Sequence, residues 1–280
     1  MSNRKSDGQW VMHTYKAGPI GEKIKFFVPG GKSSEEITRR EKNAMKREKQ
    51  NAYSAVKTLA RLLNANFYTG GVLLGLDYSN ASLAKLYDIA REFYAQGKGP
   101  NPDSDVELER MDAVWQAASH ELEKCMRRVK RLLKQRGIEL KWCAITSDMD
   151  GETGETVRVH HHLVINEEAV DAFKEKWEKL GGVEFDPLWT NQKDRTAIAE
   201  YFIRQVRRIP DAKKYRSSRN LKRPVPVKRN CTEAEIRLPA GCRLLHRSEY
   251  APGQAQYIRY EIPVSMQGKS IPDTGGGPDE

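Results

Sequence analysis

The sequence predicts an α+β fold in which an antiparallel central sheet is layered by helices, with helical and basic additions around it. Two observations lead to this prediction. Short apolar runs of strand length alternate with longer segments that repeat their apolar residues at helical spacing. Two of the runs, 140–148 and 156–166, are separated by the polar, glycine-containing segment DMDGETGE, which is typical of a β-hairpin.

The remaining elements follow in chain order. The segment before residue 34 is polar and holds one strand-like piece, KIKFFV. Strands are predicted at 70–78 and in VEFDPLW, and a β-like stretch over 234–262. Helices are predicted from their periodicity, caps and terminating glycines over 34–64, 81–96, 104–136, 167–179 and 193–208.

Composition changes along the chain predict four segments. They are a polar N-terminal extension (1–33), a main domain with basic helices (34–230), a β-like C-terminal segment (231–263) and a disordered tail (264–280).

The chain is strongly basic, with a formal net charge of +10 and a pI of about 9.3 over 280 residues. Such an excess of Lys and Arg favours a polyanionic partner, nucleic acid first and an anionic membrane second. A solvated basic surface without a partner is the plainer alternative. The sequence has no apolar run of about 18 residues and no signal peptide, so we expect no membrane span and a cytoplasmic location.

Two other site classes are disfavoured by spacing. The four cysteines show no CxxC pair, which argues against a zinc site or a disulfide framework. The segment GGKSS ends like a phosphate-binding loop, but Phe26 occupies the position of its first glycine. We therefore expect no ATPase or helicase module in this chain.

The segment VRVHHHLVIN holds three of the six histidines in consecutive positions of a predicted strand. Because successive side chains of a strand point to opposite faces, His160 and His162 share one face and His161 takes the other. Two imidazoles two residues apart on one face can bind one divalent metal.

A tyrosine lies on the predicted helix KDRTAIAEYFIRQVRRI. Its apolar stripe predicts the face that packs on the sheet, with Tyr201 at the edge of that stripe. Gln205 and Arg208 lie close to Tyr201 in helical angle, and Arg204 is one turn along. A tyrosine at the edge of a core face is usually a core residue whose hydroxyl reaches water.

These motifs together resemble the HUH endonucleases, specifically the rolling-circle replication initiators of plasmids and single-stranded phages. In that family one strand carries His-bulky-His, a later helix carries the nucleophilic Tyr with Lys three positions on, and an early apolar strand ends in a polar residue and Tyr. Here the corresponding segments are HHHLVIN, AEYFIR and GGVLLGLDY, in the same order. The resemblance covers about residues 45–230 and implies an HUH/RRM-like palm for the central sheet.

The chain departs from the family pattern at several positions. The middle residue of the motif is itself a histidine, and Arg204 stands where Lys is usual. Family members often add an acidic or polar third metal ligand, for which Asp148 is the choice here, with Asp150 and Glu200 as alternatives. Gln205 stands where a second tyrosine would be needed, which indicates a single-tyrosine enzyme.

The resemblance implies a sequence-specific nickase with strand-transfer activity. His160, His162 and Asp148 would hold Mg²⁺ or Mn²⁺, Tyr201 would form a 5′-phosphotyrosine intermediate, and Arg204 would assist it. The product would carry a free 3′-OH for rolling-circle replication, with single-stranded or hairpin origin DNA, host helicase and host polymerase as partners. The expected DNA-binding residues are Gln205, Arg208, Lys213, Lys214, Arg216, Arg219, Lys222 and Arg223.

Two alternatives stay open. The first is a single-tyrosine HUH transposase or a relaxase, which would share the metal and tyrosine residues and differ in substrate. A relaxase is disfavoured because its nucleophile usually precedes the histidines, whereas Tyr201 follows them. The second is a non-catalytic basic DNA-binding protein with a structural histidine cluster.

Overall fold

The computed structural model describes residues 8–29, 44–98, 112–188, 194–206 and 213–267, with only the backbone for 44–50. Within these residues the chain forms two antiparallel five-stranded sheets and five helices, which confirms the α+β class but replaces the single expected sheet by two. The chain divides into a terminal unit (1–66, 193–195 and 222–280) and a central unit (67–192 and 196–221). Each unit contains one of the two sheets.

The terminal unit is built from both ends of the chain. Its strands are β1 (Gln9–Ala17), β2 (Ile20–Val28), β8 (Val227–Cys231), β9 (Arg243–Arg247) and β10 (Gln256–Glu261), in the order β8-β1-β2-β10-β9. Helix α1 (Ala44–Phe67) contributes Arg61, whose guanidinium donates to the buried carboxylate of Glu22 at 2.7 Å and lies over the ring of Tyr15. This buried ion pair ties the helix to strand β2 of the sheet.

The N-terminal prediction was incomplete, because residues 9–28 form a two-stranded hairpin rather than an extension with one strand. The hairpin turns at Gly18, which has a positive φ of 61°. Most residues of β1 are half-buried, so its sequence lacks the clear apolar alternation that would identify a strand. The hairpin pairs through β1 with β8 and through β2 with β10, both from beyond residue 220, and such long-range pairing leaves no local sequence pattern.

The central unit contains the other five strands. They are β3 (Val72–Leu76), β4 (Trp142–Met149), β5 (Thr156–Ile165), β6 (Val183–Pro187) and β7 (Arg216–Ser217), in the order β6-β3-β5-β4-β7. The predicted hairpin of β4 and β5 is confirmed by their antiparallel register. Four helices accompany them: α2 (Asn80–Ala95), α3 (Asp112–Gln135), α4 (Val170–Trp177) and α5 (Thr196–Arg204).

The helix predictions agree with these bounds to within a few residues where the chain is described. The predicted starts at 34 and 104 and the basic stretch 207–210, with Arg208, lie outside the described residues. Helix α5 ends at Arg204, four residues before the predicted end at 208. Of the predicted tail, residues 264–266 form a short 3₁₀ turn, and 268–280 lie outside the described residues.

The two faces of the central sheet are covered differently. The register aligns Thr146 with His161 on one face, where residues of α2, α3 and α4 complete the main hydrophobic core. Ile145 and Ser147 lie opposite His162 and His160 on the other face, where α5 packs with the buried side chain of Phe202. The histidine strand therefore presents one imidazole to the core and two to the α5 face.

Candidate functional site

The three histidines occupy the two faces that strand alternation predicts. The rings of His160 and His162 lie edge to face with centroids 4.8 Å apart. His161 is fully buried on the opposite face, where its Nε2 lies 2.8 Å from the Tyr78 hydroxyl and its Nδ1 lies 3.0 Å from the Thr146 hydroxyl. His161 is therefore a hydrogen-bonded core residue, and His160 and His162 form the candidate site.

Tyr201 lies next to this histidine pair. Its hydroxyl is 3.2 Å from Nε2 of His162, and the two ring centroids are 5.1 Å apart. Tyr201 is half-buried, while its neighbour Phe202 is fully buried and anchors α5 on the sheet. The amphipathic pattern of α5 thus places the phenol at the edge of the packed face, within reach of the imidazoles.

Both imidazoles can offer a ring nitrogen as an electron-pair donor. Burial, together with the nearby His160, lowers the pKa of His162 to about 4, so this ring is neutral at neutral pH, and in the tautomer with the proton on Nδ1 its Nε2 accepts a hydrogen bond from Tyr201. His160 Nδ1 lies 2.9 Å from the backbone carbonyl of Arg158. Since a carbonyl only accepts, Nδ1 carries a proton, and Nε2 is the ring nitrogen of His160 that can offer a lone pair.

Two imidazoles on one face fit a divalent metal as a pair of nitrogen ligands, and the Arg158 carbonyl is the kind of outer partner that fixes a ligating histidine. Within the described ranges, no group of three or more His, Cys, Asp and Glu side chains is placed to hold one ion. Water or a substrate phosphate could supply further ligands. We therefore treat the histidine pair as a partial metal site.

The third-ligand candidates are placed as follows. Asp148 is buried at 2% exposure beside the irregularity in the β4–β5 pairing, and its role as a ligand stays a prediction. Asp150 accepts hydrogen bonds from the backbone N–H groups of Glu152 and Thr153, which lower its pKa and close the hairpin turn. Glu200 is exposed on α5.

Gln205, which the sequence predicted as a DNA contact, is buried in the structure. It is 5% exposed, and its side-chain amide lies against Gly151 of the hairpin turn. Its backbone carbonyl accepts a hydrogen bond from the Ser147 hydroxyl at 2.6 Å. The helix ends at Arg204, so the buried Gln205 does not continue the surface that Tyr201 begins, and its role as a DNA contact stays a prediction.

The described basic residues that were predicted to bind DNA divide between the units. Arg204, Lys213 and Arg219 are exposed in the central unit, and Lys214 is half-buried there. Lys222 and Arg223 are exposed in the terminal unit.

Arg216 differs from the others because it is half-buried and bonded to the Glu123 carboxylate. Burial lowers its pKa. With Lys213 and Lys214 it lines a cavity of about 400 Å³ that also contacts Ile145, the residue opposite His162 on β4. Three of the predicted DNA-binding residues are therefore brought together around a cavity beside helix α3, and Arg216 lies opposite Ala144, on the core face of the sheet and not on the face of His162.

Two positioning residues were not identified from the sequence. Ser147, fully buried, links β4 to the end of α5 through the Gln205 carbonyl. Arg158 fixes the His160 ring through its backbone carbonyl, and its guanidinium donates to Asn80 at 2.9 Å. The sequence signal for Ser147 was its polarity in a strand that begins with apolar residues, and a backbone carbonyl gives no sequence signal.

Comparison of the chain with protein-family models, with curated proteins and with solved structures found no match. None of the helices in the described ranges is long and apolar enough to cross a bilayer.

Proposed function

We propose that this protein nicks and rejoins single-stranded origin DNA through a covalent tyrosine intermediate and so initiates rolling-circle replication. The observation that carries the proposal is the 3.2 Å approach of the Tyr201 hydroxyl to His162 Nε2, on the sheet face that also holds His160. A phenol beside two imidazoles supplies a nucleophile and a pair of metal ligands for metal-assisted phosphoryl transfer. We also propose that the central sheet corresponds to the HUH palm.

The proposed reaction is a transesterification at phosphorus. The Tyr201 phenolic oxygen attacks a backbone phosphate, the bond from phosphorus to the 3′ oxygen breaks, and a 5′-phosphotyrosine forms. The phenol loses one proton to solvent and the departing 3′ oxygen gains one, so protons balance. Because the ester bond is conserved in the phosphotyrosine, attack by a 3′-OH reseals the strand without a nucleotide cofactor.

His160 and His162 would hold Mg²⁺ or Mn²⁺, which would neutralise charge on the non-bridging phosphate oxygens. In the structure described here, His162 Nε2 and the Tyr201 hydroxyl lie within hydrogen-bond distance of each other. Tyr201 would give up this contact when Nε2 becomes a metal ligand, leaving its hydroxyl available to the phosphate. The exposed Arg204, one helical turn from Tyr201, would contact the DNA backbone.

A covalent-capture experiment tests the proposal. The full-length protein is incubated with Mn²⁺ and a labelled pool of random-sequence single-stranded oligonucleotides, then analysed on a denaturing gel. We expect a stable protein–DNA adduct that Tyr201→Phe abolishes. The matched control is Tyr53→Phe, which removes a hydroxyl from a tyrosine that is 58% exposed and lies away from the histidines in sequence.

The histidine variants separate chemistry from binding. His160→Ala and His162→Ala should lose the adduct but still retain the oligonucleotide in a filter-binding assay. An adduct that survives Tyr201→Phe would refute the assigned nucleophile. If wild-type protein binds DNA and forms no adduct, the non-catalytic DNA-binding alternative is supported instead.

A further inference from the structure

A second candidate binding site lies on the central unit, on the side of the sheet that faces away from the Tyr201 helix. It is a groove of about 930 Å³ between helix α3 and the segment 216–220, and we call it the α3 groove. Trp142 at its floor begins strand β4 and shares a strand face with Thr146, which is opposite the core residue His161. The groove is therefore separate from the histidine site.

Four exposed cations line the α3 groove. Three follow one side of helix α3 at helical spacing and the fourth lies on the opposite wall: Arg127, Lys130, Lys134 and Arg219. Within the described part of the chain, no ion pair engages any of the four. Two carboxylates also line the groove, and one of them, Glu123, is already bonded to Arg216. The groove thus presents an excess of positive charge.

This excess is local and not a general property of the unit. The central unit contains 23 lysines and arginines against 24 aspartates and glutamates, whereas the terminal unit contains 25 against 14. The helix dipole explains a basic residue in the last turn, such as Lys134, but its effect falls off within that turn. Arg127 and Lys130 lie further from the helix end and need another explanation.

The floor of the groove is apolar and aromatic. Met126 and Leu140 are buried beneath it, and Trp142 is half-buried with its ring packed against the core. The Trp142 indole N–H has no hydrogen-bond partner among the described residues. An aromatic ring between two cationic walls combines a stacking surface with phosphate contacts, as sites for single-stranded nucleic acid do.

We propose that the α3 groove binds a segment of single-stranded nucleic acid, with phosphates on the four cations and one base stacked on Trp142. A duplex could reach the cationic rim, but its paired bases could not reach the floor. The proposal deepens the proposed function, because it gives the nicked strand a holding site away from the cleavage face. Its binding chemistry does not require Tyr201 to be a nucleophile.

Charge reversal on helix α3 tests the groove with a matched control. Arg127→Glu with Lys130→Glu changes two groove residues, and Arg128→Glu with Arg131→Glu makes the same charge change at neighbouring exposed positions that do not line the groove. Both pairs are made in full-length protein carrying Tyr201→Phe. Fluorescence anisotropy with labelled (dT)₁₅ and with a duplex of equal length is measured from 50 to 300 mM salt.

We expect the groove pair to weaken (dT)₁₅ binding about tenfold or more and to reduce the salt slope by about 1.4, at about 0.7 per lost phosphate contact. The control pair should change affinity by less than about threefold, and Trp142→Phe should weaken (dT)₁₅ binding while leaving duplex binding unchanged. Equal losses in both charge pairs, or equal losses for duplex and single strand, would overturn the proposal.

Two further results would also overturn the groove proposal. If polyglutamate displaced (dT)₁₅ from wild-type protein as effectively as unlabelled (dT)₁₅, the groove would be a site for acidic protein segments. An adduct assay then keeps the two proposals distinct. If the groove variants bind (dT)₁₅ more weakly but wild-type protein forms no Tyr201 adduct, only the nickase proposal is contradicted. If the Tyr201 adduct forms but the groove variants bind (dT)₁₅ as tightly as the unaltered groove does, only the groove proposal is contradicted.

Discussion

Replacing His161 by alanine tests the division of the histidines between the two sheet faces. His161 is fully buried, with hydrogen-bond partners at both ring nitrogens and edge-to-face contacts with the rings of Tyr78 and Trp177. The substitution removes the whole ring from a packed core. We therefore expect its main effect to be on folding, and any loss of DNA cleavage to follow the unfolded fraction.

The expected magnitude follows from these contacts. Two lost hydrogen bonds cost about 1 kcal/mol each. The cavity left by a buried ring adds about 2–3 kcal/mol, at the lower end of large-to-small core substitutions, because the ring is smaller than that of phenylalanine. The total of about 4–5 kcal/mol is a large part of the 5–15 kcal/mol that is typical for a whole domain. His160→Ala, at the half-buried site face, should cost less than about 1 kcal/mol.

Urea unfolding followed by tryptophan fluorescence measures this difference, because four of the five tryptophans belong to the central unit. With a slope of about 2 kcal/mol per molar urea, His161→Ala should lower the midpoint by about 2 M. His160→Ala should lower it by less than about 0.5 M. Equal shifts for the two variants would refute the assignment of His161 to the core and His160 to the site.

Two further predictions concern buried charge. His162 has a pKa of about 4 in the folded chain, below the value of about 6.5 expected after unfolding, so the unfolded state binds more protons between these pH values. The stabilising effect is therefore fully present above pH 6.5 and is lost as pH falls toward 4, and the loss amounts to about 2 kcal/mol at pH 5. Urea titrations with EDTA measure this loss, which His162→Gln should lessen. An equal loss in the variant would contradict the assignment of the low pKa to His162. In the terminal unit, Arg61→Ala should cost about 3–5 kcal/mol because it leaves the Glu22 carboxylate buried without its cation, and adding Glu22→Gln should restore part of that stability. Hydrogen exchange of β1 and β2 measures this effect, and a double variant no more stable than Arg61→Ala would contradict it.

The helices and the strands of the central unit could be predicted because their patterns are local. The β4–β5 hairpin, for example, is recognisable from two apolar runs and one glycine-containing turn. The second sheet could not be predicted in the same way. Its strand β1 pairs with β8 more than two hundred residues later, and its residues are half-buried on both faces. A strand with that environment has neither the alternation nor the continuous apolar run that sequence reasoning recognises.

The candidate site shows the same limit at the level of single residues. Strand alternation correctly separated His161 from its neighbours, and helical periodicity placed Tyr201 at the edge of its packed face. The burial of Gln205 was not predicted, because it depends on where α5 ends. At that end the Gln205 carbonyl accepts a tertiary hydrogen bond from Ser147, which no helix propensity includes.

The identity of the atom that attacks DNA is the central claim, and peptide mapping of the covalent adduct tests it most directly. After reaction with single-stranded oligonucleotide and Mn²⁺, the adduct is digested with nuclease and trypsin and analysed by mass spectrometry. The account predicts a nucleotide mass on the peptide Thr196–Arg204, with fragment ions that place it on Tyr201. A nucleotide on any other residue would contradict it.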